Sequence, residues 1–272
     1  MEPDSPSTAA PQELPAITVG LDGIHALHPE EPAGPGGWRY GELSVVVLLA
    51  VLSYIFFLVA YGVFIAVTGQ SVNLEDIGSI APALIAIQAV WSACVLFLIH
   101  LVVTRRYTRP FAPAIGWTWP QEPWTRFAVS GFSLAIMIAI AGSILPAPEH
   151  ELPMEALLKS TANLVVLGLF AVVFAPPFEE LVFRGFLFPV FEAAHGAPVA
   201  VAATAALFSL LHGSQYGWHW PHLLLLLGVG VIFGVIRATT KSVLACAIMH
   251  AAYNATLVGG ALFARVVMGE QA

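Results

Sequence analysis

Three ionisable residues interrupt an otherwise apolar stretch, which reads Phe-Glu-Glu-Leu-Val-Phe-Arg-Gly over residues 178–185. Because an ionised side chain at the centre of a bilayer costs about 2.5–3.5 kcal/mol even on insertion scales, such residues normally face a protein interior or a wet cavity. On a helix, Glu180 and Arg184 are four residues apart on one face and can form an ion pair. Glu179 is rotated by about 100° from Glu180 and lacks that partner. The spacing predicts a structural ion pair beside a carboxylate that is available for chemistry.

Two further pairs of residues with four-residue spacing lie in apolar segments, where each pair shares one helix face. They are Phe208 with His212 and His250 with Asn254. A single histidine inside a membrane is usually a hydrogen-bonding group between helices. Together with Glu179, however, these residues offer a base, two imidazoles and an amide. Such groups can deprotonate water and hold a developing oxyanion, which is the chemistry of a hydrolase.

The composition places these residues in a membrane protein. Of the 272 residues, 58% are hydrophobic and 10% are charged, whereas soluble domains carry roughly 25% charged residues. The net charge of −7 gives no signal for nucleic-acid binding, since much of it lies in the N-terminal segment. The two cysteines, Cys94 and Cys246, are too few for a disulfide framework. Cys246 is interpreted as a small buried thiol.

Apolar segments of spanning length predict an all-α, polytopic membrane helix bundle of about seven transmembrane helices. The predicted helices cover residues 43–67, 80–103, 127–145, 164–191, 198–212, 221–236 and 242–263. Pro176 and Pro177 fall inside the fourth helix, directly before the two glutamates. Proline frees backbone groups and kinks a helix, and in a membrane this is tolerated beside protein or a wet cavity. The prolines therefore favour a cavity at the carboxylates.

Residues 1–42, rich in proline, glycine and acidic residues, predict a disordered tail without the features of a signal peptide. Basic residues lie between the second and third helices and after the sixth, at Arg105, Arg106, Arg109, Arg126, Arg237 and Lys241. Cytoplasmic loops are enriched in such residues. With seven helices, both loops and the N-terminus would be cytoplasmic in a plasma-membrane protein, and the C-terminal residues 264–272 external. Because the fifth and sixth helices are short, a re-entrant arrangement is an alternative.

The ordered motifs Glu-Glu-x-x-x-Arg, Phe-x-x-x-His and His-x-x-x-Asn, ending at Arg184, His212 and Asn254, resemble the CPBP family of intramembrane proteases. That family includes CAAX prenyl endopeptidases of the Ras-converting type and bacterial relatives linked to bacteriocin self-immunity. The resemblance covers roughly residues 160–263, which makes the last four helices the expected protease core. The helices and loops of residues 43–159 lie outside its informative part.

The resemblance implies a role for each motif residue. Glu179 and His212 would activate water, and His250 and Asn254 would hold the oxyanion. The second glutamate and the arginine of the first motif would support the site. Members of the family are often described as metalloproteases, but this sequence lacks the His-Glu-x-x-His spacing of common zinc proteases. Two alternatives are therefore open: no metal, or a divalent ion such as zinc held by Glu179, His212 and His250.

Several other histidines and two other functions are compatible with parts of this pattern. His219 and His222 suggest a metal cluster, but their tryptophan-rich loop favours lipid headgroup contact. His100 and His195, near helix ends, are interpreted as interfacial. The expected partners are the bilayer and a membrane-associated peptide or protein, such as a CAAX-like prenylated peptide; the sequence gives no signal for an oligomeric state. A non-catalytic immunity or scaffold protein is the alternative function, and a transporter is a weaker third.

Overall fold

The computed structural model describes residues 37–69, 77–146, 148 and 150–268 of the chain. The described residues are helical or irregular and include no strand, which confirms the all-α prediction. The helices, numbered in chain order, are α1 (Tyr40–Thr68), α2 (Ile77–Leu101), α3 (Phe111–Ala114), α4 (Trp124–Ser143), α5 (Pro153–Leu157), α6 (Thr161–Leu169), α7 (Ala175–Glu180), α8 (Phe188–His195), α9 (Ala197–Leu211), α10 (Trp220–Thr240) and α11 (Val243–Met268).

Within the described residues, six helices are long and apolar enough to cross a membrane. The remaining predicted helix, the fifth at residues 198–212, corresponds to α9, which has 15 residues. At about 1.5 Å per residue it is about 22 Å long, shorter than the hydrocarbon core of about 30 Å. The predicted count of seven is therefore not confirmed by length and composition. The helices themselves lie where the sequence predicts them, within a few residues at each end.

Helices α6, α7 and α8 are parts of one continuous helix, Thr161–His195, called here the carboxylate helix. Two π-helical turns, Phe170–Phe174 and Leu181–Leu187, separate its three α-helical parts. A π-helical turn bonds residue i to residue i+5 and accommodates one additional residue in the helix, often at a functional site. The helix continues through Pro176 and Pro177, and the kink expected there stays a prediction. The glutamate pair ends α7, directly before the second π-helical turn.

The loops rich in basic residues meet at one end of the bundle, called here the basic end. The α10–α11 turn contacts the segment before α4, since the Val243 N–H donates to Gly116 O at 2.8 Å. Arg106 lies 3.7 Å from Glu42 at the start of α1. The prediction that these basic loops lie on one side is confirmed. The side of the membrane that they face stays a prediction.

The N-terminal boundary of this folded unit differs from the predicted one. Residues 1–36 of the predicted tail lie outside the described residues. Trp38, however, is buried, stacks on Phe186 and donates its indole N–H to the Phe186 carbonyl at 2.8 Å. Helix α1 begins at Tyr40, before the predicted start. Residues 38–42 therefore belong to the helical bundle and not to a tail, because the indole ring of Trp38 has both a stacking partner and a hydrogen-bond acceptor there.

Close helix contacts hold the core around the carboxylate helix. Helix α10 packs on α9 through Gly230 and Gly234, one helical turn apart, against Ala205 and Val201. A β-carbon added at Gly230 would lie 2.9 Å from the Ala205 α-carbon, closer than real β-carbons approach. Small residues at this spacing let helix backbones approach in membranes, where there is no hydrophobic force between helices. This contact positions α10 beside the ion pair of the carboxylate helix.

Candidate functional site

Glu180 is the centre of the buried polar cluster. Its Oε1 accepts a hydrogen bond from Arg184 Nη1 at 3.1 Å and lies 2.9 Å from His250 Nδ1. Glu180 and Arg184 are both 0% exposed, and His250 is buried with them. The predicted ion pair is therefore confirmed. It also joins α11 to the carboxylate helix, which the spacing alone did not predict.

Arg184 is held by groups from neighbouring helices, although its Nε has no hydrogen-bond partner among the described residues. Its Nη2 donates to the Gly230 carbonyl of α10 at 2.9 Å. Its guanidinium carbon lies 5.2 Å from the ring centre of Phe208 and 5.3 Å from that of Phe233. A desolvated cation over an aromatic face gains roughly 2 kcal/mol. The aromatic residue of the second motif, Phe208, thus contacts both the buried cation and His212, whose ring centre is 4.5 Å away.

Glu179 faces two histidines without bonding directly to either of them. Its Oε2 is 4.0 Å from His212 Nε2 and 3.9 Å from His250 Nε2. Among the described residues this oxygen is buried without a hydrogen-bond partner. The predicted unpaired carboxylate is therefore confirmed, and three side chains predicted to act together lie together. Polar atoms separated by more than 3.5 Å are at a spacing that a single water molecule bridges.

The other nitrogen of each imidazole determines its tautomer. His212 Nδ1 lies 2.7 Å from the Phe208 carbonyl oxygen, which can only accept, so this nitrogen carries the proton. His250 Nδ1 faces the Glu180 carboxylate and donates to it in the same way. In the neutral forms, both Nε2 atoms therefore present lone pairs toward Glu179. Three acceptors converge on one point, which favours a water molecule or a cation there.

The second alternative is a zinc ion held by Glu179, His212 and His250. Imidazole and carboxylate are suitable zinc ligands, and a carboxylate behind a ligand histidine is common in zinc sites. However, two ligands bound to tetrahedral zinc at about 2.0–2.2 Å lie only about 3.3–3.5 Å apart. Among the described residues, no three His, Cys, Asp or Glu side chains are arranged to hold a metal ion. The arrangement does not fit the ligand set Glu179, His212 and His250, and the chemistry below uses side chains and water.

Asn254 joins the same helix through a backbone group that a proline leaves without a donor. The Ala175 N–H bonds to Phe170 O in the first π-helical turn, and Pro176 has no N–H to offer the next carbonyl. Asn254 Nδ2 donates to that carbonyl, Ala171 O, at 2.7 Å. One amide hydrogen of Asn254 is therefore engaged, and the second is available for a ligand.

Tyr216 is a neighbour of the site and lies in the loop of His219 and His222, for which the sequence predicts lipid headgroup contact. It packs against the apolar cluster of Phe183, Phe208 and Leu226. Burial raises the pKa of the Tyr216 phenol above its ordinary value, and the charge of Glu179 raises it further. The phenol therefore stays protonated and can donate. The Phe-x-x-x-His motif, which precedes Tyr216 by four residues, is the signal that could have drawn attention to it.

The remaining candidates make other contacts. His219 and His222 contact each other, with their Nδ1 atoms 2.6 Å apart. Their expected contact with lipid headgroups stays a prediction. His100 packs on Phe111 near the basic end. The predicted burial of the Cys246 thiol is confirmed, and its Sγ donates to Phe233 O at 3.4 Å. His195 ends α8 and packs near Tyr40.

Comparison with known proteins gives a family match. Residues 161–256 match the family model described as type II CAAX prenyl endopeptidase Rce1-like. This segment, about a third of the chain, contains all seven motif residues from Glu179 to Asn254. The expected resemblance is therefore confirmed over that segment. Searches among curated proteins and solved structures gave no significant match. With its six long apolar helices, the chain is a multi-pass membrane protein.

Proposed function

We propose that this protein is an intramembrane endopeptidase that hydrolyses a peptide bond with water activated by Glu179. The observation that carries the proposal is the buried Glu179 carboxylate oxygen, which faces two imidazole nitrogens at 3.9 Å and 4.0 Å without a bonding partner. A purely structural carboxylate in a membrane would be paired through at least one oxygen, as Glu180 is through Oε1. The match of residues 161–256 to a prenyl endopeptidase family supports the same reaction class.

In the proposed reaction, one water donates its two hydrogens to Glu179 Oε2 and His212 Nε2. Its oxygen lone pair is then directed away from both acceptors and toward the substrate carbonyl. Glu179 takes one proton as the oxygen attacks the carbonyl carbon, which gives a tetrahedral oxyanion. Glu179 then returns that proton to the leaving nitrogen as the C–N bond breaks. Positioned general bases of this kind contribute about 10²–10⁴ in rate.

Of the two proposed oxyanion donors, Asn254 carries an N–H that is unengaged among the described residues, whatever the protonation of the site. Its second amide hydrogen is available while the first is bonded to Ala171 O. His250 donates from Nε2 only when that nitrogen carries a proton, since Nδ1 is engaged by Glu180 at 2.9 Å. Glu180 and Arg184 support the site. Glu180 holds His250 in one tautomer, and the positive charge of Arg184 compensates the buried negative charge of Glu180.

We propose a membrane-associated peptide or protein as the substrate, with CAAX-like prenylated peptides as one class that the family description supports. The bond to be cut must reach Glu179, which lies in a helix of 35 residues that is long enough to cross the bilayer. The orientation proposed from the basic loops places the N-terminus in the cytoplasm of a plasma-membrane protein.

The alternative is a non-catalytic immunity or scaffold protein with the same fold. It accounts for the buried Glu180–Arg184 pair but gives no role to the unpartnered Glu179 oxygen. A comparison of membrane proteomes from cells with wild type and Glu179→Ala separates the two. The endopeptidase should leave uncleaved precursors that accumulate in the variant, with new termini present only in the wild type. Identical termini in both strains would favour the scaffold.

A further inference from the structure

Arg237 has a position that its place in the sequence does not predict. As part of the basic group that closes α10, it was expected to mark a cytoplasmic loop. In the structure it is 2% exposed. Its Nε donates to the Arg184 carbonyl at 2.9 Å, and its guanidinium carbon lies 5.5 Å from the ring centre of Phe188. Burying a cation so fully is costly, so a loop marker alone does not account for this position.

The Arg184 carbonyl needs a hydrogen-bond donor from another helix, because its own helix supplies none. In the second π-helical turn, the Phe188 N–H bonds to Phe183 O and not to Arg184 O. The next residue, Pro189, has no N–H. Arg184 O therefore has neither of the two backbone donors that a helix could supply. A buried carbonyl without a donor costs about 1–3 kcal/mol, and the Arg237 Nε–H removes that cost.

The same device occurs at the other end of the glutamate pair. There a π-helical turn and Pro176 leave Ala171 O without a helical donor, and Asn254 of α11 supplies the hydrogen bond. One such site involves a residue of the third motif. The other involves Arg237, which belongs to none of the three motifs. The two sites flank Glu179 and Glu180 along the carboxylate helix.

We infer that Arg237 is a positioning residue of this site, which fixes the π-helical turn carrying Arg184 through the carbonyl that Pro189 leaves open. The bonds are reciprocal: Arg237 of α10 donates to the Arg184 carbonyl, and Arg184 donates to the Gly230 carbonyl of α10. The turn is thereby tied to α10 at two points seven residues apart. Arg184 in turn fixes Glu180 and His250. The inference rests on the proposed function for its catalytic consequence only.

A double-mutant cycle tests the arrangement without any assay of activity. Arg237→Met removes the donor, and Pro189→Ala supplies a backbone N–H that can bond to Arg184 O. We expect Arg237→Met to lower the thermal midpoint of the detergent-purified protein. In the Pro189→Ala background the loss should be smaller by roughly 2–4 °C. Equal losses in both backgrounds would overturn the inference.

Lys241→Met is the matched control, because it removes a cation from the same end of α10 without touching Arg184. The Lys241 side chain is 60% exposed and bonds Glu192 at 2.8 Å. A mere loop marker would make the two methionine variants behave alike. The inference predicts a large effect for Arg237→Met alone.

Kinetics on a cleaved substrate then separate positioning from folding. Arg237→Met should lower kcat by about 10²-fold with little change in KM, since a displacement of about 1 Å costs that much. Pro189→Ala in the same chain should restore part of the loss. A change in KM alone, or no restoration, would overturn the positioning role. Wild-type protein without turnover would instead count against the proposed function, and the thermal cycle would still decide whether the arrangement exists.

Discussion

Hydrogen positions on two imidazoles decide what the central residues can do. The Phe208 carbonyl and the Glu180 carboxylate each take the Nδ1 proton of one histidine, at 2.7 Å and 2.9 Å. Both Nε2 atoms are left facing Glu179 as acceptors. A water molecule at their meeting point can donate to two of these three acceptors, which in the proposed reaction are Glu179 and His212. This preorganisation is the physical basis of the proposed hydrolysis.

Asn254→Ala should affect both rate and stability, because the amide has two duties. Losing one oxyanion donor typically costs about 10²–10³ in kcat, so a slow residual activity should be measurable. Losing the bond to Ala171 O should in addition lower the free energy of unfolding by about 1–3 kcal/mol. Steady-state kinetics and thermal melts of the same preparation measure the two effects. Unchanged kcat with lowered stability would restrict Asn254 to its structural duty.

At the residue scale, spacing predicted the partners of the first motif but not those across helices. Glu180 and Arg184 are four residues apart, so their pairing follows from helix geometry. The bond from His250 to Glu180 joins residues 70 positions apart. Arg237 was misinterpreted as a loop charge for the same reason, since burial depends on which helix lies beside it.

Polar groups join the helices around the site. Arg184 bonds its own helix at Glu180 and α10 at Gly230. Because lipid is as apolar as a helix surface, such bonds and close packing of small residues carry the specificity between helices. The carboxylate helix is the element on which both act.

Arg184→Ala should lower the amount of folded protein in the membrane, as well as any activity. Removing one partner of a buried ion pair leaves an uncompensated charge and costs about 3–5 kcal/mol. Quantitative immunoblots of membranes and melts of the purified variant measure the loss. A variant as stable as the wild type in detergent would argue against the pairing.

Gly230→Ala should separate α9 from α10 and disturb the Arg184 bond to the residue 230 carbonyl. The added β-carbon would meet the Ala205 α-carbon at 2.9 Å, and overpacking of this kind costs about 1–3 kcal/mol. Gly228→Ala is the matched control, since a β-carbon at that position meets nothing within 4 Å. Thermal melts of both variants give the comparison; equal midpoints would contradict the close contact.

At the element scale, the sequence predicted where the helices lie but not their internal geometry. Apolar length and the positions of the basic residues were sufficient for the first. The prolines at residues 176 and 177 indicated a perturbed helix, but not the π-helical turns that lie on either side of α7. Side chains from α10 and α11 supply the missing donors, and sequence alone does not show which helices are neighbours.

On the scale of the whole molecule, the basic loops gather at one end and several of their charges are paired there. Arg106 pairs with Glu42 and Lys241 with Glu192. The turn after α9 contacts the segment before α6, where the Met154 N–H donates to Gln215 O at 3.1 Å. Helix α9 has 15 residues and ends beside His212, whose Nε2 lies 4.0 Å from Glu179 in the middle of the carboxylate helix.

Reporter fusions test the orientation that follows from this distribution. A reporter at Thr118, in the basic segment before α4, should behave as cytoplasmic. One fused after Gln271 should behave as external if α9 crosses the bilayer. Paired activity and accessibility reporters measure both positions. A cytoplasmic signal from both fusions would mean an even number of crossings and a re-entrant α9.

The most direct test of the proposed hydrolysis is cleavage of a membrane-tethered peptide by purified protein in liposomes, with Glu179→Gln beside the wild type. Glutamine keeps the shape of the side chain but cannot accept the proton from water. Glu192→Gln, on the same helix at the basic end, is the matched control. His212→Ala should behave nearly like Glu179→Gln.

The proposed chemistry predicts that the wild type and Glu192→Gln cleave the peptide and that a chelator does not reduce their turnover. Glu179→Gln should show no turnover, although its thermal midpoint should equal that of the wild type. Turnover that survives Glu179→Gln would refute the general-base role. Chelator-sensitive turnover that zinc restores would contradict the metal-free account and make Glu179 and His212 metal ligands.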